Sequence, residues 1–590
     1  MLPFQLIFFS PLILAVTSEF RDQYDYVIVG SGSAGSVVAN RLSKDENIKV
    51  LLLEAGELPN FISEAIPFPI HLQKTKYDWK YRTTRQKNSC RGYNEQRSNW
   101  PRGKVLGGSS VLNSMVYVRG NKRDYDQWAE DGATGWSFDD VLPYFKKSED
   151  NRVPEITEKD YHGTGGELTV DKPSYKNPIN KAMLEAGKEL GYPTGDYNGV
   201  SQKVFSEFQG TIRDGRRCST KKAFLDPIVG RRNLHIRTSA FVTKINFDNN
   251  KRATGVTFDY DGKTITVSVR REVILSAGAI NSPQLLMLSG IGPKEELEKL
   301  QIPVVSDLPV GKNLQDHVFT LAMIATVETQ ETLLTSRIKV DDVLSYLKEN
   351  KGILSTLAGY DTVGFVNTKY NKIEDWPDIE LVLGIISLAT DGGTTFKNAV
   401  GLSDQVLKEY ILPYVNNHTI SCSPLLQRPK SKGEVRLNSA NPYDHPIIDP
   451  NYFSHPDDLK VLVEGTKICL DLFSTSAMKK IGTKAIDAII PGCEQYKQFS
   501  DEYLACASQT ITQTSYHPVG TCKMGNIRDK STVVDPRLRV KGVNGLRVVD
   551  ASIIPTMISG HINAAAIMIG EKASDMILDD FKNFNEKLEL

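Results

Sequence analysis

Nine histidines and two glycine-rich segments are the residues whose types and spacing can do chemistry in this chain. An imidazole is neutral near pH 7 and can take or give a proton. His71, His162, His235, His418, His445 and His455 stand in polar or loop contexts with nothing to mark them. His317 closes Gly311-Lys312-Asn313-Leu314-Gln315-Asp316-His317 and reads as structural. His517 is different. It precedes Pro518 in a Gly-bearing loop, and proline biases the residue before it toward extended backbone. His561 follows Ser559-Gly560 at the start of the last predicted helix, so its side chain can occupy a helix mouth. The two lie 44 residues apart, and local sequence leaves open whether they meet.

The second signal is Gly30-Ser31-Gly32-Ser33-Ala34-Gly35, set after the apolar run Tyr24–Val29. In such a motif the first glycine permits a tight turn, and the second lets a pyrophosphate reach the backbone. The third lets helix and strand pack closely. Free amides and the positive end of the following helix then face the phosphates. Glu54 ends a second apolar run, Lys49–Leu53, 19 residues past Gly35. A carboxylate there accepts ribose hydroxyls and disfavours a 2′-phosphate, which speaks against NADP. The motif alone does not separate FAD from NAD.

These residues need elements to hold them. The spacing predicts a strand over Tyr24–Val29, a helix over Gly35–Leu42 and a strand over Lys49–Leu53, which make a βαβ unit. Strand-like runs LHIRT, FVTKINF, GVTFDY, TITVSV and EVILS fill residues 234–276. Helical patterning dominates 340–415 and 457–508; near the end come a strand at Leu546–Val549 and a helix over Asn563–Leu578. Nucleotide-type strands at both ends, with other material between, predict a discontinuous nucleotide-binding domain carrying an inserted substrate domain.

At 590 residues the chain is long enough for two or three units. Its formal net charge is zero, which offers no global attraction to nucleic acid or anionic membrane. The uncharged opening MLPFQLIFFSPLILAVT is too short for a comfortable span and is broken by Pro3 and Pro11, so residues 1–18 read as a cleaved signal peptide. No second stretch would span a bilayer, and a secreted chain without a membrane span is expected. The sequon Asn417-His418-Thr419 accords with export as a glycoprotein. Seven cysteines do not pair evenly; Cys493 and Cys506 are close enough to bridge. No Cys/His spacing suggests a metal.

Three further segments carry a resemblance. Gly103-Lys104-Val105-Leu106-Gly107-Gly108-Ser109-Ser110, followed by Asn113 and Tyr117, resembles the first signature of the glucose–methanol–choline (GMC) oxidoreductases. Gly278-Ala279-Ile280-Asn281-Ser282-Pro283, running to Gly292, matches the second. Tyr516-His517-Pro518-Val519-Gly520-Thr521-Cys522 resembles the active-site loop, and Val548-Val549-Asp550-Ala551-Ser552 completes the set. The texture is most similar to the arthropod glucose dehydrogenase-like branch.

The resemblance implies an α/β fold, α+β overall. A Rossmann-like FAD domain would span 24–170, 210–320 and 530–578, and a domain of antiparallel sheet and helices would span 171–209 and 321–529. It implies FAD held by Gly30, Gly32, Ser33, Ala34, Gly35 and Glu54, by Val105 and Asn113-Ser114-Met115-Val116, and by the backbone of Val242 against adenine. Tyr516, Asp550, Ala551 and Asn563 complete the cofactor site. It places His517 and His561 over the reactive face. The expected reaction is oxidation of a small alcohol, with the hydride going to the flavin and the proton to His517. Electrons would pass to oxygen or a quinone. The resemblance admits glucose, aromatic, cyanohydrin or steroid alcohols. A flavin-containing hydroxynitrile lyase is the alternative. The absence of GxSxG disfavours a serine hydrolase.

Overall fold

The computed structural model describes residues 20–66, 69–156 and 160–589; the expected signal peptide lies outside them. At its centre the Gln23–Val29 strand pairs in parallel with Val50–Leu53 on one side and with the Tyr26↔Glu272 to Val29↔Leu275 register on the other. Leu234–Arg237 and Leu546–Val548 extend the sheet in parallel at its two sides. The 23–29, 50–53 and 273–275 segments are buried nearly throughout because parallel sheets are covered on both faces. One cover is the Ser33–Leu42 helix, which packs along the final helix, Ile562–Glu589. Gly570 permits that contact, since an added Cβ would stand 2.8 Å from the Ala34 carbonyl oxygen.

Two of the expected strands are one. TITVSV and EVILS fuse into Lys263–Leu275, whose first part pairs antiparallel with Ala253–Tyr260 and whose second part joins the parallel sheet. Arg270, mid-strand, donates to the buried Asp25 carboxylate, so the charged stretch between the two apolar runs stays in register.

The second unit is an antiparallel sheet of eight strands, centred on Thr419–Leu426, Ile379–Gly384 and Tyr360–Val366. The expectation of helix over 340–415 is therefore corrected in part. Helix is confined there to short pieces such as Val340–Glu349, and the apolar runs at 360–366 and 379–384 are strands. Burial on both faces hides their period of two, which leaves an apolar run ambiguous between helix and strand. Val318–Thr320 also hydrogen-bonds in this sheet, although the boundary expected at 320 assigns it to the nucleotide unit. Its partners, Leu425–Leu426 and Thr512–Thr514, lie more than a hundred residues away in sequence. The Pro456–Phe473 helix packs on the sheet, and the Cys422–Cys469 disulfide fastens the two. Cys493 and Cys506 are bonded, while Cys90, Cys218 and Cys522 are free and buried.

Candidate active site

A cavity of about 510 Å³ runs between the two sheets. Its nucleotide end is built by the glycine turn. Gly30 has φ +98, and an added Cβ would stand 2.5 Å from the Ser276 carbonyl oxygen. At Gly35 it would stand 2.0 Å from the Gly30 carbonyl oxygen. At Gly32 it would meet nothing within 4 Å, so the backbone there is open to an approaching group. Gly32 is also the N-cap of the Ser33–Leu42 helix, whose first amides face the same space. Ser33 Oγ donates to Asn563 Oδ1 at 2.6 Å, which brings the starts of the first and last helices together.

Glu54 accepts from Ser31 N at 3.0 Å, Ser31 Oγ at 2.6 Å and Gly56 N at 2.8 Å. Burial pushes its carboxyl up, against those bonds. Acceptor capacity is left for a ribose hydroxyl. Asp550 accepts from Ser282 Oγ at 2.5 Å and Gly278 N at 2.9 Å, which seats its strand end on the helix that begins at Gly278. A dinucleotide with a flat ring fits these residues: an open backbone, two helix starts and a carboxylate bracket one elongated space.

Of the residues expected at the cofactor, Gly30, Gly32, Ser33, Ala34 and Glu54 line the cavity. So do Asn113, Ser114, Met115, Val116 and Val242. Tyr516, Asp550, Ala551 and Asn563 line it as well. Two do not. Gly35 sits behind the wall as a packing residue, and Val105 is turned into a cluster with Leu72, Tyr77, Val111 and Leu112. The Asn113–Met115 turn is locked: Asn113 Oδ1 accepts from Met115 N at 3.0 Å and from Arg217 at 2.8 Å, and Met115 takes φ 62. A left-handed non-glycine residue there is local strain held by its surroundings. Tyr516 is similar, with φ 60 and its carbonyl held by Arg102 Nη1 at 2.7 Å.

The two imidazoles meet. His517 and His561 ring centroids are 4.8 Å apart, edge to face, and both rings line the cavity. His517 N donates to Asp316 Oδ1 at 2.8 Å, which fixes the loop. His317 lies against it, Nδ1 to Nδ1 at 3.0 Å, with its Nε2 at 2.9 Å from the Gln427 carbonyl. That network assigns the tautomers. A carbonyl only accepts, so the Gln427 carbonyl at 2.9 Å calls for the proton on His317 Nε2, with the Ile558 carbonyl a further acceptor near the ring, and Nδ1 of the neutral ring is then bare. His517 Nδ1–H then donates to it, leaving His517 Nε2 free to accept a proton. Burial, then the charges of His561, His317 and Arg102, hold His517 well below the usual histidine range, and burial draws His317 down to about 3. Both are neutral at pH 7. His561 Nε2 donates to Glu380 Oε1 at 3.0 Å, and Gln427 Nε2 donates to Glu380 Oε2 at 3.1 Å.

His317, Glu380 and Gln427 were not singled out as chemical residues from sequence. Glu380 carries a signal that could have found it: a carboxylate inside the apolar run Ile379-Glu380-Leu381-Val382-Leu383, where a buried charge needs a partner. His317 and Gln427 carry none, because their contacts join segments 110 and 200 residues apart.

Comparison with known proteins decides the family. Profiles of the GMC oxidoreductases match residues 24–319 and 429–570. The chain belongs to the GMC oxidoreductase family. It is 40% identical over 574 residues to glucose dehydrogenase [FAD, quinone] of Drosophila melanogaster, covering 95% of this chain and 88% of that protein. It is 34% identical over 568 residues to ecdysone oxidase of Spodoptera littoralis, covering 95% and 92%. Among solved structures, a formate oxidase variant from Aspergillus oryzae RIB40 superposes with TM-score 0.84 at 28% identity, covering 96% and 100%. Pyridoxine 4-oxidase from Mesorbium loti does so with TM-score 0.79 at 28% identity, covering 94% and 98%. The fold is thus the α/β FAD-binding fold with a substrate domain, and the cofactor of this GMC oxidoreductase is FAD. The enzyme carries out FAD-dependent oxidation of CH–OH donors. Among the described residues, no helix is long and apolar enough to cross a membrane.

Proposed function

We propose that His517 is the base that takes the hydroxyl proton of the alcohol, with His561 orienting that hydroxyl beside it. The observation that carries this reading is the hydrogen-bond chain linking His517 Nδ1, His317 and the Gln427 carbonyl, which occupies His517 Nδ1 and leaves Nε2 of this cavity-lining residue as its proton acceptor. FAD, held by the Gly30–Ala34 turn, Glu54, Asn113–Val116, Val242 and Asp550–Ala551, supplies the hydride acceptor that no side chain can provide. Neutral His517 accepts the proton at Nε2. The positive charge so formed lies near His561, whose partner Glu380 is buried and acidic; an anion there favours a cationic pair of rings. The start of the final helix at Ile562 offers its positive end to the cavity that Asn563 lines.

The lyase alternative has no support among the relatives named above, which are oxidoreductases. For reoxidation, the Drosophila relative carries a quinone as acceptor in its name, and we carry quinone or oxygen to this chain as the acceptor. Secretion is proposed too. It accords with the apolar N-terminal segment, two disulfides and an exposed Asn417 in its sequon.

The test is His517→Ala. The variant is expected to retain FAD and to slow anaerobic flavin reduction by an alcohol by about 10²–10⁴-fold, the usual share of a positioned base. Retained flavin with near-normal reduction would remove His517 from the chemistry.

A further inference from the structure

We infer that the alcohol oxidised here is a bulky apolar one, neither a sugar nor a quaternary ammonium alcohol; this rests on the reading of the His517 site as an alcohol site. The argument comes from the wall opposite the nucleotide end. Residues 321–513 contribute that wall, whose apolar members include Leu321, Leu333, Val382, Ile386 and Leu425. Val382 and Leu425 belong to the same two strands, and on the same face, as Glu380: Leu425 is the register partner of Glu380, and Val382 lies two residues on. The apolar wall therefore continues directly from the residue that holds His561.

Of the polar side chains on this wall, Ser423, the register partner of Val382, keeps one buried hydroxyl without a partner, whereas Gln513 and Asp391, which could make several bonds, are engaged. Gln513 gives its Nε2 to the Thr514 carbonyl at 3.1 Å and the Tyr516 hydroxyl at 3.0 Å, and its Oε1 accepts from Tyr93 at 3.0 Å. Among the described wall residues from 321–513, Asp391 is the single charged one. Its Oδ1 accepts from Gly393 N at 3.0 Å and its Oδ2 from Phe396 N at 2.7 Å, so it closes its own turn. Beside it Thr394 is exposed, which places this acid at the mouth rather than beside the imidazoles.

A sugar bound here would lose water from several hydroxyls and regain few hydrogen bonds, and unpaired buried hydroxyls are costly. A quaternary ammonium would find no free carboxylate along the apolar wall, and the aromatic faces alone would have to hold its charge. An apolar chain or ring meets neither penalty and gains from leaving water. The apolar character extends outside. The Val340–Glu349 helix follows the wall residue Ile338 and exposes Val340, Leu344 and Leu347.

The test uses the holoenzyme in anaerobic stopped flow with octan-1-ol, cinnamyl alcohol, glucose and choline. The ratio of flavin-reduction rate to apparent Kd is expected to be at least roughly 100-fold higher for the two apolar alcohols. Leu333→Gln, a half-buried wall position, is expected to raise KM for octan-1-ol about fivefold with FAD still bound at one per chain. Glucose or choline reducing the flavin as efficiently as octan-1-ol overturns the inference and leaves the alcohol site standing. If none of the four bleaches the flavin, the alcohol site itself fails, and this inference falls with it.

Discussion

Gly32→Ala and Gly35→Ala separate the two jobs of the glycine turn. Both add one methyl group, three residues apart. At Gly32 the backbone has φ −68 and ψ −162, which alanine adopts without strain, and the new Cβ meets nothing within 4 Å. The poorer N-cap and the reduced freedom of the unfolded chain oppose each other, so the apoprotein is expected to stay within about 1 kcal/mol of wild type. The methyl group occupies the open face through which a pyrophosphate reaches the amides. Losing two charge-assisted bonds at about 1.5–3 kcal/mol each weakens FAD by roughly 10²–10⁴-fold. At Gly35 the Cβ would lie 2.0 Å from the Gly30 carbonyl oxygen and 3.0 Å from Ser276 Cβ. The helix must then move off the strand, at a cost of about 1–3 kcal/mol or more to the apoprotein. The assay strips the flavin, measures urea unfolding of each apoprotein, and titrates FAD by quenching of its fluorescence. The reasoning is refuted if Gly32→Ala binds FAD within about threefold of wild type, or destabilises the apoprotein as much as Gly35→Ala.

Two further outcomes are expected. Glu380→Gln keeps the shape of the side chain but removes the buried anion behind His561; at an effective dielectric near 20 the charge is worth about 2 kcal/mol to a cation on the ring pair, so flavin reduction should slow roughly 30-fold with FAD retained. An unchanged rate in this variant would mean that no positive charge develops on the rings. Acid should also destabilise the protein through His317. Its folded value of about 3 lies below the ordinary 6.5, so the unfolded chain binds the extra proton between those limits. Its contribution is whole above pH 6.5 and shrinks as pH falls, by on the order of 2 kcal/mol at pH 5. Urea unfolding at pH 7 and pH 5 should show a smaller difference for His317→Gln than for wild type, and equal differences would contradict the burial argument.

What was legible in the sequence follows how far apart the cooperating residues are. The glycine turn, the Tyr24–Val29 strand and Glu54 are local, and their chemistry depends on neighbours within 31 positions of one another, so spacing alone describes a nucleotide cradle. Even there the roles differ: Gly35 and Val105 stand outside the cavity wall, because a motif fixes backbone shape before it fixes contact. The strands at 360–366 and 379–384 were hidden by burial on both faces, which removes the alternation that marks a strand.

The proton site is the opposite case. His517, His317, His561, Glu380 and Gln427 come from five separated segments, and Gln427 touches two of them at once, His317 through its carbonyl and Glu380 through its amide. A residue with that reach couples the tautomer of one imidazole to the placement of the other. Its backbone carbonyl survives any substitution, so Gln427→Met should leave His317 in its tautomer yet free one Glu380 oxygen. Glu380 then loses a neutral donor and becomes a stronger acceptor for His561. The pH dependence of flavin reduction is the quantity that responds: its acid limb should shift upward, since a proton taken up by His517 beside the strengthened carboxylate is better stabilised. A downward shift would show that the Gln427 amide supports the basic form of the pair, and the coupling would run the other way.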